Sequence, residues 1–228
     1  MRELWAKLVP SLQESEKRRL IEKTSDLCSA FIVEPEDVEL ARRWGAKTIV
    51  CPSENADIVL IADLKDMVKA RKEGKKTCVI VTVKSRGDEK KIVTAAEASA
   101  DYVLAVCSDW KVIPIENLIA EIRGKSRLLA SVSSSQEAKV ALETLEIGVD
   151  GVVIDLSDAN EVRKIHETLK TVEAKAPEHE PTMKITLLKA QVKELKQLGA
   201  GARVCIDTCD LLREGEGLLV GCQSVGLF

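Results

Sequence analysis

The stretch KTIVCPSENADIVLIAD, residues 47–63, decides how this chain folds. KTIVC and DIVLIAD are short β-branched runs of the kind that form buried parallel strands. Only PSENA stands between them, whereas a parallel crossover ordinarily takes roughly a dozen residues. Either the architecture is irregular here, or one of the two runs lies outside the main sheet.

The same texture recurs on both sides, in LWAKLV (4–9), AFIVE (30–34), TCVIVTVK (77–84), DYVLAVC (101–107), RLLASVS (127–133) and DGVVIDL (150–156). Amphipathic segments such as EKRRLIEKTSDL, DVELARRWG and SQEAKVALETLEIG separate most of these runs. Ser134 with Glu137, and Asp158 with Glu161, fit the acceptor-x-x-Glu pattern of a helix start. Small residues close helices ahead of the next strand in WGA, EASA and EIGV. Eight strand candidates alternating with helices predict an α/β fold, an irregular (β/α)8-like parallel barrel over residues 1–175. A doubly wound open parallel sheet is the alternative.

Composition agrees with a buried parallel sheet: of 228 residues 45% are apolar and 31% charged, but only 3% aromatic. A net charge of −3 supplies no general attraction to nucleic acid or to an anionic membrane surface. No apolar run approaches the roughly 20 residues of a membrane span, and MRELWAKLVPSLQESEKRRL lacks the layout of a signal peptide. A cytoplasmic protein with no nucleic-acid or membrane partner is expected. Seven cysteines is an odd number, and Cys28, Cys51, Cys78 and Cys107 lie in or beside apolar segments, which predicts buried thiols in a reducing compartment.

After residue 175 the texture changes. AKAPEHEP (174–181) is polar with two prolines, so residues 176–181 read as a linker. Residues 182–228 read as the start of a separate β-rich unit, with a short helix at VKELKQL as an option. At that length a core alone barely stabilises a fold, so its apolar residues are expected to pack on the barrel, on a second copy or on another chain.

Two features of this tail invite a functional reading. Cys205 and Cys209 on a strand lie about 13 Å apart, whereas two thiolates on one zinc lie within about 4.6 Å of each other. No metal site is expected. GAGARV (199–204) and GEGLLVG (215–221) look like pieces of a dinucleotide fingerprint, but neither follows a strand and opens a helix, so tight turns explain them better.

In a parallel barrel, chemistry gathers at the C-terminal ends of the strands. Lys7, Glu34, Asp63, Lys84, Asp109, Lys111 and Asp155 fall there. Charged groups meeting at such a mouth suit acid, base and imine-forming roles, although most lysines in a chain of this kind are simply solvated. With two histidines, neither well placed, a Ser-His-Asp arrangement is not expected.

DWKVIPIENLIA (109–120) and RVCIDTCDLLREGEGLLVG (203–221) together resemble the archaeal-type (type II) 3-dehydroquinate synthase family. LWAKL (4–8) and SVSSSQEAKVALETLEIGVDGVVI (131–154) are similar to the same family in the same order. The resemblance implies an NAD-dependent oxidoreductase of the shikimate pathway for aromatic amino acids. Its substrate would be an amino-sugar-like molecule, 2-amino-3,7-dideoxy-D-threo-hept-6-ulosonate, deaminated oxidatively and cyclised to 3-dehydroquinate. For that chemistry Lys84 or Lys7, if dried by burial, is expected as the base. Asp109 or Glu34 is expected to hold the ammonium, and Lys111 is expected among the catalytic residues. No residue is assigned to the NAD.

The chain carries Ala202 where the family typically has Asp, and Asp210 where it typically has Ser. The family also continues past the equivalent of Phe228 into further β-rich sequence. A fragment, a split subunit or a degenerate paralogue is therefore expected, with a homo-oligomer or a separately encoded C-terminal region as partner. The alternatives to an intact synthase are a non-catalytic or partner-dependent barrel, and a Schiff-base aldolase-like barrel.

Overall fold

The computed structural model describes residues 2–107, 115–145, 147–175, 191–196, 206–209, 211–214, 216–218, 220–221 and 226–227. The chain divides into two compact units, residues 1–176 and 177–228.

The first unit is a closed barrel whose eight strands follow chain order. They are β1 (Glu3–Leu8), β2 (Ala30–Ile32), β3 (Ile49–Cys51), β4 (Ile58–Ile61), β5 (Lys76–Val83), β6 (Tyr102–Cys107), β7 (Arg127–Val132) and β8 (Gly151–Leu156). All are parallel, and β8 returns to β1 with Glu3 opposite Gly151 and Lys7 opposite Asp155. The helices are α1 (Glu14–Thr24), α2 (Val38–Arg43), α3 (Leu64–Lys72), α4 (Arg86–Glu97), α5 (Ile115–Ile122), α6 (Ser135–Glu143) and α7 (Ala159–Lys175). Closure excludes the open doubly wound sheet.

PSENA proves long enough. β3 and β4 are parallel neighbours, with Val50 opposite Ile58, and no helix lies between them. The dozen-residue rule presumes strands of ordinary length. β3 is three residues long, and six linking residues can span up to about 20 Å, more than enough to return beside so short a strand. Asp57 secures the return by accepting the Ile49 amide at 2.8 Å and the Arg42 guanidinium at 3.0 Å.

Alternation along the strands divides the apolar residues into two sets. Trp5, Ile32, Cys78, Leu104, Leu129 and Val153 fill the lumen. Leu4, Ala6, Val79, Val103, Val152 and Ile154 face outward, under Ile21, Ile92, Leu118, Leu142 and Ile165 of the helices. Each Val, Leu or Ile side chain among these contributes about 1.5–3 kcal/mol when fully buried. Helix ends follow the small residues read from sequence. At Trp44-Gly45-Ala46, Gly45 adopts φ +104° and the Ala46 amide reaches back to the Ala41 carbonyl at 3.0 Å. Ser99 plays the same part at φ +65°, with the Ala100 amide on the Ala95 carbonyl at 3.1 Å.

The N-terminal end of the lumen is tied by a polar network. Glu3 accepts hydrogen bonds from Trp5 Nε1 at 2.6 Å and from the Tyr102 hydroxyl at 3.2 Å, and pairs with Arg127. The Arg127 guanidinium lies 5.7 Å from the centre of the Tyr102 ring. Of the four cysteines expected to be buried, Cys28, Cys51 and Cys78 are, whereas Cys107 at the end of β6 is half-buried.

In the second unit, β9 (Val220–Gly221) pairs antiparallel with β10 (Gly226–Leu227). Residues 191–196 are not helical, which removes the described part of the short helix considered for VKELKQL. Val192, Leu195, Ile206, Leu211 and Leu212 are exposed. The predicted linker 176–181, Cys205, Ala202 and Asp210 lie outside the described residues. Among the described residues no helix is long and apolar enough to cross a membrane.

Candidate functional site at the C-terminal mouth

Strand parity selects the side chains that stand above the lumen's apolar layers. Trp5 and Val153 are lumen residues, so Lys7 and Asp155, two positions further along β1 and β8, rise from the same face at the C-terminal end. The two are register partners on adjacent strands, which places their backbones about 4.8 Å apart. On its other side Lys7 pairs in register with Ile32, and Glu34 follows two residues later on the same face of the chain. Lys7 therefore stands between two carboxylates, one beside it and one a level above.

Lys84 reaches the mouth from β5, two residues beyond Thr82 and of the same parity as the lumen residues Cys78 and Ile80. In an eight-strand barrel taken in chain order, β5 is diametrically opposite β1. The two lysines thus face each other across the opening. Ser131 on β7 has lumen parity and adds a hydroxyl.

Lys7, Glu34, Lys84 and Asp155 are all exposed. Among the described residues none of their side chains forms an ion pair. The drying of Lys7 or Lys84 expected from sequence is not supplied by those residues. Asp109 and Lys111, with Trp110 between them, lie outside the described residues. Asp63 belongs to the α3 start, accepting the Lys65 amide at 3.0 Å.

The helix starts around the mouth are closed by the chain's own carboxylates. At α4, Asp88 accepts the Lys84 and Ser85 amides, each at 3.1 Å, and the Ser85 hydroxyl at 3.0 Å. Hydrogen bonds from Lys91, Lys84 and Ser85 hold its carboxyl down, from the ordinary 3.8 to about 2. At α6, the Ser134 hydroxyl accepts the Glu137 amide at 3.2 Å, and Glu137 accepts the Ser133 amide at 2.7 Å. The expected local pairing of Asp158 with Glu161 does not form. Asp158 caps α7 through the Asn160 amide at 2.9 Å, while Glu161 crosses to α6 and accepts the Ser135 amide at 2.7 Å. No sequence signal marked that crossing.

Two depressions, of about 720 and 520 Å³, open at the opposite end, the first beside Asp101, Arg123 and Asp150, the second beside Glu3, Lys47, Lys76 and Tyr102. Neither lies at the end where barrel chemistry gathers. In parallel barrels the strands' N-terminal ends serve stability, and here that end holds the mutually satisfied Glu3 network. No group of three or more His, Cys, Asp and Glu among the described residues could hold a metal ion.

Residues 1–169 match the model of the 3-dehydroquinate synthase II N-terminal domain, and residues 189–228 that of the 3-dehydroquinate synthase II C-terminal domain. The chain belongs to the 3-dehydroquinate synthase II family. A 3-dehydroquinate synthase of Methanobrevibacter smithii is 32% identical over 97% of this chain and 63% of the relative. One of Methanothrix thermoacetophila is 35% identical over 100% of this chain and 63% of the relative. One of Methanococcus vannielii is 35% identical over 87% of this chain and 54% of the relative. The chain thus spans less than two thirds of the length of these 3-dehydroquinate synthases. Among solved structures, orotidine 5'-monophosphate decarboxylase of Methanocaldococcus jannaschii, complexed with the inhibitor BMP, superposes with a TM-score of 0.54 at 15% identity. It covers 76% of this chain and 98% of its own, a likeness of fold alone.

Proposed function

We propose that this chain carries the barrel of a type II 3-dehydroquinate synthase and binds 2-amino-3,7-dideoxy-D-threo-hept-6-ulosonate at its C-terminal mouth. The observation that carries this reading is Lys7, flanked by Asp155 and Glu34, facing Lys84 across the opening. The substrate is complementary in kind. One end bears a carboxylate and an ammonium on neighbouring carbons, and the other bears a ketone. A lysine beside two carboxylates holds an amino-acid end by opposite charges, with the lysine on the carboxylate and Asp155 or Glu34 on the ammonium. Lys84 on the far wall then meets the ketone.

After oxidation and loss of ammonia, the product is a 2-oxo acid that still carries the distant ketone. Ring closure requires the methyl carbon beside that ketone to lose a proton and attack the 2-oxo carbon, whose oxygen takes up a proton. Lys84 near the ketone oxygen stabilises the enolate, and Lys7 beside the 2-oxo group stabilises the developing alkoxide. Asp109 and Lys111 remain further proposed members of the site.

NAD is the hydride acceptor that the family resemblance implies, and it would take up the hydride in that oxidation. The amides at the starts of α4, α6 and α7 already hold carboxylates, so its pyrophosphate is assigned to none of these three. No step is assigned to the barrel through that group. Cytoplasmic localisation and partnership with a further copy or a separate C-terminal region belong to the same proposal.

The test supplies amino acid substrate and NAD to the chain, with and without the C-terminal region of a longer relative, and follows 3-dehydroquinate and NADH. Calorimetric binding of the substrate is measured alongside. Product in either arm, lost in Lys84→Met, is expected. Neither product nor binding in both arms overturns the proposal. A lysine mass shift after borohydride trapping would instead favour the Schiff-base alternative.

A further inference from the structure

Asp155 lies inside the β8 ladder, whereas Glu34 stands two residues beyond the end of β2. The direction of Glu34 is therefore set by the turn that follows it, Pro35–Asp37, whose last amide donates to the Glu34 carbonyl at 3.0 Å. That turn is tied to the start of α1 by an ion pair. Lys17 Nζ lies 2.7 Å from Asp37 Oδ2.

The pair runs against local preference at every point. Its side chains are only 12% and 9% exposed, whereas each other ion pair among the described residues has a partner more than a third exposed. Lys17 is the fourth residue of α1, near the helix end that disfavours a cation. Asp37 directly precedes α2, where an aspartate ordinarily caps a helix, yet its side chain makes no cap hydrogen bond there. Desolvation of both charges offsets most of their attraction, so a buried pair of this kind adds little net stability. It does fix direction. What it fixes is the turn carrying Glu34 against the first βα unit, which carries Lys7 at the end of its strand.

We propose that Lys17 and Asp37 are a positioning pair, which holds Glu34 at the mouth so that its carboxylate meets the substrate ammonium. The inference rests on the reading of the mouth as the site for the substrate's amino-acid end, and it assigns two residues which that reading does not use. Both are buried in their mutual contact and act through Glu34.

The experiment measures calorimetric binding of two ligands to the full chain, alone and with the C-terminal region of a longer relative. One is the amino substrate, the other its analogue with a hydroxyl in place of the amino group. The wild type is expected to prefer the amino ligand at least about tenfold, and Glu34→Gln to lower that preference at least about fivefold. Asp37→Asn should lower it by as much, leave the affinity for the hydroxyl analogue unchanged, and add nothing further in the Glu34→Gln background. If Asp37→Asn does not fold, Lys17→Met with Asp37→Ala removes both charges, a replacement that buried pairs often tolerate, and is expected to show the same loss of preference. Equal weakening toward both ligands would make the pair merely structural and overturn the proposal. If Glu34→Gln loses the preference while the folded pair variants keep it, the positioning role alone is overturned. If Glu34→Gln keeps the preference, or the wild type binds neither ligand, the reading of the mouth fails and the proposal with it.

Discussion

Lys7 and Asp155 stand opposite each other across the β1–β8 ladder that closes the barrel, and both belong to the lumen face at its C-terminal end. Their proximity is a product of closure, since 148 positions separate them in the chain. Substituting either should therefore affect ligand binding far more than folding. Lys7→Met and Asp155→Asn are each expected to weaken substrate binding about tenfold, ~1.4 kcal/mol, with unfolding midpoints within about 0.5 kcal/mol of the wild type. Calorimetry with parallel urea titrations checks both halves. A large loss of stability in either variant would recast the pair as structural.

The Glu3 network should respond asymmetrically. Glu3→Ala leaves the Trp5 indole N–H, the Tyr102 hydroxyl and Arg127 without their shared acceptor, and is expected to cost about 3 kcal/mol. Arg127 is 38% exposed at its side chain, and its removal leaves Glu3 with two donors, so Arg127→Ala is expected to cost only about 1 kcal/mol. Urea unfolding of the two variants decides, and equal losses would refute the asymmetry.

Acid should weaken the helix starts around the mouth. Asp88 and Glu161 have carboxyls held at about 2 in the fold, below their ordinary 3.8 and 4.5. Groups of this kind add stability above their unfolded values, and that stability is lost as pH falls toward the folded ones. Unfolding midpoints are therefore expected to be insensitive to these two groups at neutral pH and to decline from about pH 4.5 to about 2. In Asp88→Asn with Glu161→Gln that decline should be shallower. An unchanged acid slope would show that neither carboxyl is held down.

Two left-handed glycines should differ in their tolerance of a methyl group. Gly148 (φ +63°) would drive a Cβ into the Leu142 carbonyl, whereas Gly124 (φ +76°) has open space around it. Gly124→Ala is expected to cost about 1 kcal/mol from backbone conformation alone. Gly148→Ala should cost at least about 2 kcal/mol more, because backbone must move. Thermal denaturation separates the two, and similar losses would mean that the α6–β8 turn relaxes freely.

The strands were legible because each β-branched run, from LWAKLV to DGVVIDL, is bounded by polar or small residues, and burial in a parallel sheet demands that pattern. The link through PSENA misled only in its length, because a rule drawn from full-length strands does not govern a three-residue one. Lys7, Glu34 and Lys84 could be placed at strand ends from sequence. Their arrangement around the mouth could not, since it follows from the order and closure of the barrel. Glu161 was read as a local cap because Asp158-x-x-Glu161 is a sound local pattern. Its carboxylate found the Ser135 amide 26 positions away, a competition that only tertiary spacing resolves. The Glu3–Arg127 pair, 124 positions apart, was invisible for the same reason.

The helix-free link between β3 and β4 has a consequence for how the molecule avoids self-association. A closed sheet offers no free row of backbone donors and acceptors, and the hazard returns only if the cylinder opens. β3 is its weakest stave: it meets β2 through Phe31–Ile49 and Ile32–Val50, and β4 through Val50–Ile58 and Cys51–Val59. A rupture there would bare two adhesive margins at once. Ile49, Val50 and Cys51 are fully buried, and the short tether keeps β4 close to β3 when their pairing breaks, which lowers the entropic cost of pairing again. The link that breaks the barrel's regularity thus favours re-closure over the addition of a strand from another chain.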